Sequence, residues 1–551
     1  MKLRSHLHLA LFGFILVATS CKHYSTVNEK LPRLKSDTEA GDLLKHSLRR
    51  PDKQPEVQLG KLLDAASLAG DSLKNNPEDR QARTDYNYAV GRVFEVIHEA
   101  KLQPWKKPVT CPGKDGNWNF SMTTDGKPEH DPSHFRILPA DRYTFHGTLV
   151  KERTLKDGLG APMVITSQGF DPTKFDPFIQ GKSVYYGVTE VLQFEGRNCT
   201  ATFLDPLVTE TVDFAGHTYP VAADFTAALG LALAELNPRK AELKRLVNPD
   251  EFAASTRLAR LQPYDPNKIP LLLIHGLGDS QATWAPFIES MRADPVLRQK
   301  YQVWFFTYPT GYAYPLMASM LRKQLDAVNA YYPGHKKLVV IGHSMGGMIT
   351  RELITDSGMK IWDAYFKMPP EKLPVAPETR KIIKDALIFS HRPEIDRVIF
   401  ASASHRGSDQ ATNFSGRLLA GIIKQSRTIL GQPEQEAEAV SLSKPDLSGV
   451  QLKRVPNSLD ALDPKNRFVV TIDTIPPVKS IPFHSLIADR GKGGNLDHTK
   501  PVSFDGLVPY WSSHLDGAVS ELVIPSGHWS HQHPQGIAEI NRILRYHLEK
   551  H

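Results

Sequence analysis

Cysteine is scarce in this chain: Cys21, Cys111 and Cys199 are the three among 551 residues. None sits in a Cys/His cluster with metal-ligand spacing, so neither a metal nor another cofactor is expected. Charge of one sign is also scarce. Lys and Arg number 67 against 60 Asp and Glu, a net +7. No dense Lys/Arg block is present, which argues against nucleic acid as a partner. The small basic excess fits a mild preference for anionic surfaces such as lipid headgroups, or simply a basic surface kept for solubility. No repeat or low-complexity tract stands out. The apolar run at the start of the chain, Leu7 to Val17, is too short for a comfortable membrane span. What remains is an ordinary globular composition, 40% apolar and 23% charged. At this length it suggests two to four domains of roughly 100–200 residues each.

The first twenty residues are the part most unlike a folded domain. Lys2 and Arg4 precede the apolar run, and small residues Ala18-Thr19-Ser20 follow it. This is the pattern of a secretory signal over residues 1–20. The residues before Cys21 resemble a bacterial lipoprotein cleavage site, although Ala18 stands where leucine is usual. The resemblance implies a lipidated Cys21 and a protein anchored in the cell envelope, periplasmic or at the surface. Ordinary signal cleavage beside an incidental cysteine is the alternative. With Cys21 set aside, Cys111 and Cys199 form an even pair. In an exported protein such a pair points to a disulfide, or else to two buried thiols.

From Cys21 onward the chain reads as four stretches. Residues 21–55 are polar and mixed, as in a tether. Residues 56–136 read as a helical hairpin broken at Asn75-Asn76-Pro77, followed by loops rich in Pro and Gly over 104–136. Residues 137–265 alternate apolar and polar, as in Arg142 to Val150, Lys182 to Val188 and Thr200 to Leu204, and read as a small β-rich module. It ends in a helix near 222–236 and a linker running to Pro266. From residue 266 the texture changes. Apolar strand-like runs at 270–274, 303–308, 338–341, 397–401, 468–472, 483–487 and 521–524 alternate with helical segments at 314–332, 345–354 and 534–548. Continuous apolar strands separated by helices indicate an α/β architecture with a mostly parallel sheet covered on both faces. Residues 356–394 and 408–465 interrupt the alternation and are expected to form cap insertions over the strand ends.

One segment in this region carries chemistry. Gly342-His343-Ser344-Met345-Gly346 fits G-x-S-x-G and lies between an apolar strand and a helix. So tight a strand-to-helix turn needs small residues two before and two after the serine, and it lifts the hydroxyl to the sheet edge. An alcohol is a weak nucleophile at neutral pH, so Ser344 needs a base and the base needs an orienting carboxylate. Asp505, in Asp505-Gly506-Leu507-Val508-Pro509, and His528, in Ser526-Gly527-His528-Trp529, follow in the required order at strand ends. Asp489 competes as the acid but reads better as part of a turn. His531 and His533 compete as the base and read as surface histidines. His343 reads as packing. Backbone N–H groups of Met345 and Leu277, the latter in His275-Gly276-Leu277-Gly278, are candidates for an oxyanion hole. Trp284, Tyr308, Tyr312, Tyr314 and Trp511 follow strands and either line an acyl pocket or plug the core.

These motifs resemble bacterial lipases and related esterases of the α/β-hydrolase superfamily. The resemblance rests on His275-Gly276, Gly342 to Gly347, Asp505 to Pro509 and Gly527-His528. Ser404-His405-Arg406-Gly407-Ser408 is similar to the family's Thr-Pro-His-x-Gly-Ser loop, with Ser404 where proline is usual. It covers roughly residues 266–551 and implies an α/β-hydrolase fold that cleaves acyl esters or lipids through an acyl-enzyme on Ser344. An acyltransferase using the same triad and an inactive, envelope-binding hydrolase fold are the alternatives. Nothing in the resemblance bears on residues 22–265.

Overall fold

The computed structural model describes residues 23–126, 131–167, 171, 176–179, 183–408, 461–492 and 504–550. The expected leader, Cys21 and residues 409–460 of the second insertion lie outside the described residues. The chain divides into two compact units, residues 1–237 with 292–299, and residues 238–291 with 300–551.

In the first unit, helices α1 (Glu39–Arg49), α2 (Pro55–Asn75) and α3 (Arg80–Ala100) share one core with a six-stranded sheet. Its strands are β1 (Val109–Gly113), β2 (Gly116–Met122), β3 (Phe135–Pro139), β4 (Ala161–Ser167), β5 (Tyr185–Glu195) and β6 (Asn198–Leu204), in the order β1-β2-β6-β5-β4-β3. Only β2 and β6 pair in parallel. Pro55 begins α2, where its missing N–H is no loss, and Asp79 caps α3 by accepting from the Gln81 and Ala82 N–H groups. The Tyr86 hydroxyl donates to the Leu192 carbonyl at 2.7 Å and accepts from the Leu192 N–H, locking α3 to β5.

Several expectations fail here for identifiable reasons. The stretch read as a tether contains α1 and the strand Thr26–Glu29, which pairs with Tyr143–His146. The apolar content of α1 is confined to one narrow face, with Ala40 and Leu44 buried, and Thr38 caps it. The stretch read as loops contains β1, β2 and the start of β3. Its proline Pro112 misleads because it lies on an edge strand, where proline is tolerated. Cys111 and Cys199 are both free and buried, so the disulfide reading is overturned. They sit on β1 and β6 with β2 between them. Two strand spacings are about 9–10 Å, beyond the reach of a disulfide. Burial pushes the Cys111 thiol up to about 12.

The second unit is built on a seven-stranded sheet of β7 (Arg257–Arg260), β8 (Ile269–Ile274), β9 (Tyr301–Thr307), β10 (Leu338–His343), β11 (Ile395–Ala401), β12 (Phe483–Ala488) and β13 (Ser520–Ile524). The order is β7-β9-β8-β10-β11-β12-β13, and every pair is parallel except β7 with β9. Every residue of β9, β10 and β12 is buried, as expected for strands covered on both faces. β7 lies inside the stretch read as a linker to residue 265. The run 468–472, read as a strand from its β-branched residues, is instead helix α9 (Arg467–Asp473). Asn466 caps it, and Phe468, Val469 and Ile472 bury a helical face. Helix α4 (Ala227–Leu236) belongs to the first unit and α5 (Pro238–Val247) to the second, and in the first insertion α8 (Pro377–Leu387) packs against α6 (Tyr314–Tyr331), so part of that insertion extends the helical layer. No described helix is long and apolar enough to cross a membrane.

Glu210 in the first unit gives the fold a pH signature. Burial opposes its ionisation. Hydrogen bonds from Arg298 and Lys156, and their positive charges, outweigh burial and hold its carboxyl down at about 2 against an ordinary 4.5. A depressed carboxylate contributes stability above its unfolded pKa and loses it as pH falls through the folded one. Glu210→Gln should therefore lower the melting temperature clearly at pH 7. The gap to wild type should narrow from about pH 4.5 downward and nearly close by pH 2. Melting curves of both proteins across that range check this.

Candidate active site

Strand β10 runs into Ser344, and helix α7 (Met345–Glu352) begins one residue later. Ser344 adopts φ 54° and ψ −123°, a left-handed conformation rare outside glycine. Its neighbours explain how so sharp a turn fits. A Cβ on Gly342 would come 2.6 Å from the Gly346 carbonyl oxygen, and one on Gly346 would come 2.5 Å from the His275 carbonyl oxygen. Both glycines therefore answer to close backbone approach.

The hydroxyl so presented meets a continuous hydrogen-bonded chain. Ser344 Oγ lies 2.8 Å from His528 Nε2, and His528 Nδ1 lies 2.7 Å from Asp505 Oδ2. All three side chains are buried. The other Asp505 oxygen accepts from the Leu507 and Val508 N–H groups at 2.8 and 2.7 Å. That turn fixes the carboxylate and leaves Oδ2 to the imidazole. With Nδ1–H donating to Asp505, the neutral ring presents Nε2 as an acceptor to the serine.

The loop after β8 lies against the same hydroxyl. A Cβ on Gly276 would come 2.9 Å from Ser344 Cβ. Leu277 follows it, and among the described residues nothing accepts from its N–H. Met345 opens α7, where the first N–H groups have no partner within the helix. The loop after β11 braces the segment that follows Asp505. Arg406 Nη1 donates to the Trp511 and His514 carbonyls at 2.7 and 2.6 Å, and Ser408 Oγ donates to the Leu507 carbonyl at 2.6 Å.

The competing residues are placed elsewhere. Asp489 caps a turn, accepting from the Gly491 N–H at 2.9 Å. His533 accepts from the Gln535 N–H at the start of the last helix. His531 is not on the surface as expected. It is fully buried, with Nε2 2.7 Å from Thr283 Oγ1 and its ring against Trp284. His343, read as packing, is buried but also holds the His528 loop, with Nε2 3.1 Å from the His528 carbonyl. Burial, then the neighbouring His531 and His528, pushes its pKa well below the usual histidine range, so Nε2–H donates as a neutral ring. Among the five aromatic candidates, Trp284, Tyr308, Tyr312 and Tyr314 are core plugs. Tyr308, for example, stacks on His275 and donates to its carbonyl at 2.6 Å. Trp511 is exposed, and so is Trp529 beside His528.

Sequence reasoning missed one group. Asp279, His343 and His531 bring potential ligand atoms within 4.8 Å of one another, all buried. They lie in three distant segments, so no spacing signal could show them.

The turn predicts a stability effect. Gly346→Ala should cost about 1–3 kcal/mol, since the methyl meets backbone that cannot rotate away. Denaturant unfolding of the two proteins measures it.

A family model described as "Alpha/beta hydrolase family" matches residues 271–540. Among solved structures, a Bacillus licheniformis lipase in its mature form is 17% identical with a TM-score of 0.31, over 52% of this chain and 97% of that one. A lipase-esterase related protein from Clostridium acetobutylicum is 11% identical with a TM-score of 0.28, over 53% and 98%. A hydrolase from Pseudomonas aeruginosa is 16% identical with a TM-score of 0.27, over 52% and 92%. No curated relative matches the sequence. Its second unit, with its parallel sheet and strand–serine–helix turn, has the alpha/beta-hydrolase fold and resembles that family over residues 271–540, a little under half of the chain.

Proposed function

We propose that this protein is an exported serine hydrolase that cleaves carboxylic esters through an acyl-enzyme on Ser344. The observation that carries the reading is the chain Asp505–His528–Ser344, with contacts of 2.7 and 2.8 Å. In this reading His528 Nε2 takes the Ser344 proton as Oγ attacks the acyl carbon. Asp505 keeps the proton on Nδ1 and stabilises the imidazolium as it forms. The N–H groups of Leu277 and Met345 bind the oxyanion of the tetrahedral intermediate. His528 then returns its proton to the leaving alcohol, and the intermediate collapses to a Ser344 ester. Water, activated by the same base, releases the acid. The exposed indole of Trp529, next to His528, supports an apolar acyl or lipid substrate over a polar one. Export, with lipidation of Cys21, rests on the leader sequence.

Ser344→Ala should lower kcat/KM on short p-nitrophenyl esters by about 10⁴-fold or more, and Asp505→Asn by roughly 10³–10⁴-fold. Both should keep wild-type melting temperatures within a few degrees. Full esterase activity in Ser344→Ala would overturn the reading.

A further inference from the structure

Behind the serine, three buried side chains turn unused donor atoms toward one point. Asp279 Oδ2, His343 Nδ1 and His531 Nδ1 are each buried and without a hydrogen-bond partner among the described residues. His343 Nδ1 lies 3.8 Å from Asp279 Oδ2. The Thr283 and Trp529 side chains lie within hydrogen-bonding reach of the carboxylate, but Oδ2 itself has no partner of good hydrogen-bond geometry among the described residues. Buried polar atoms are nearly always hydrogen-bonded in native cores, so three unpaired ones converging on one point are unusual.

The opposite side of each group is already held. Asp279 Oδ1 accepts from the Ser280 N–H at 3.0 Å. His343 Nε2 reaches the His528 carbonyl at 3.1 Å, and His531 Nε2 reaches Thr283 Oγ1 at 2.7 Å. Gln532 Nε2 donates to that same Thr283 oxygen at 2.7 Å. Metal-bound histidines typically carry such an outer partner on the second ring nitrogen, which fixes the tautomer and aims the first nitrogen at the ion.

We propose that Asp279, His343 and His531 bind one divalent transition-metal ion, with Zn²⁺ best matched to two imidazoles and a carboxylate. Ligand atoms around a tetrahedral Zn²⁺ with roughly 2.0–2.1 Å bonds are about 3.3 Å apart. From separations within 4.8 Å, side-chain shifts of about an ångström complete the site. Each ligand comes from a different segment of the proposed active site. Asp279 is two residues past Leu277, His343 precedes Ser344, and His531 is three residues past His528. The ion would therefore clamp together the loops that carry the nucleophile, the base and an oxyanion donor.

The test uses the full chain, stripped with a chelator, desalted and incubated with Zn²⁺ alone, with Mg²⁺ in parallel. Elemental analysis after a second desalting should find about one Zn²⁺ per chain and no retained Mg²⁺. Thermal melting should shift upward with Zn²⁺. Asp279→Asn and His531→Gln should each weaken Zn²⁺ binding at least about tenfold, and Ser344→Ala should bind it like wild type. X-ray absorption of the Zn²⁺-loaded wild type, which needs no variant to fold, should show two imidazoles and only N/O neighbours. Wild-type protein that retains no zinc overturns the proposal. So does zinc held with one or no imidazole, or held equally well by both variants. Because the readouts are metal content, melting and coordination, this inference and the esterase reading fail separately.

Discussion

The site in the second unit depends on one constraint, the turn that holds Ser344 at φ 54° between a buried parallel strand and a helix. A serine in that conformation needs surroundings that over-determine it. Gly342 and Gly346 let backbone close on either side, and Gly276 lets the neighbouring loop reach the serine itself. The conformation fixes where Oγ points, and the sheet fixes which strand ends face it. β12 and β13 lie on one side of β10 beyond β11, and β8 lies on the other. The chain segments that follow those strands bring Asp505, His528 and the Leu277 loop to a single hydroxyl. Parallel strands with their carboxyl ends on one edge make this arrangement available, because the loops after them gather there.

The polar contacts around the turn form layers. Asp505 is held by two N–H groups of its own turn, and that turn is held by the Arg406 and Ser408 loop. His528 is held by Asp505 on one side, and its backbone carbonyl is held by His343. His343, next to the serine, thus ties the His528 loop to the Ser344 strand. The same residue faces Asp279 and His531, so the cluster behind the serine is continuous with the machinery in front of it. A clamp there would act on position and rigidity.

Local signals made much of the second unit legible. The buried strands stood out as continuous apolar runs. Ser344, Asp505 and His528 stood out because a nucleophile turn and two strand-end loops each have a recognisable local pattern in a required order. What stayed hidden depends on distant partners. β7 is short, at the sheet edge and without an apolar run, and α9 is rich in β-branched residues whose helical spacing shows only beside the Asn466 cap. His531 looked like one of several histidines in a polar tail until the fold turned it inward against Trp284 and Thr283. In the first unit, a proline on an edge strand concealed a sheet, and two cysteines that looked like a pair lie on strands separated by a third.

The central claim is that Ser344 is the nucleophile, activated by His528 and Asp505. The most direct measurement is mass spectrometric mapping of the adduct formed when the full chain reacts with a fluorophosphonate probe. The prediction is one stoichiometric adduct, located on the peptide containing Ser344 and lost when His528 is replaced by alanine. An unlabelled wild-type protein, or an adduct on another serine, would contradict it.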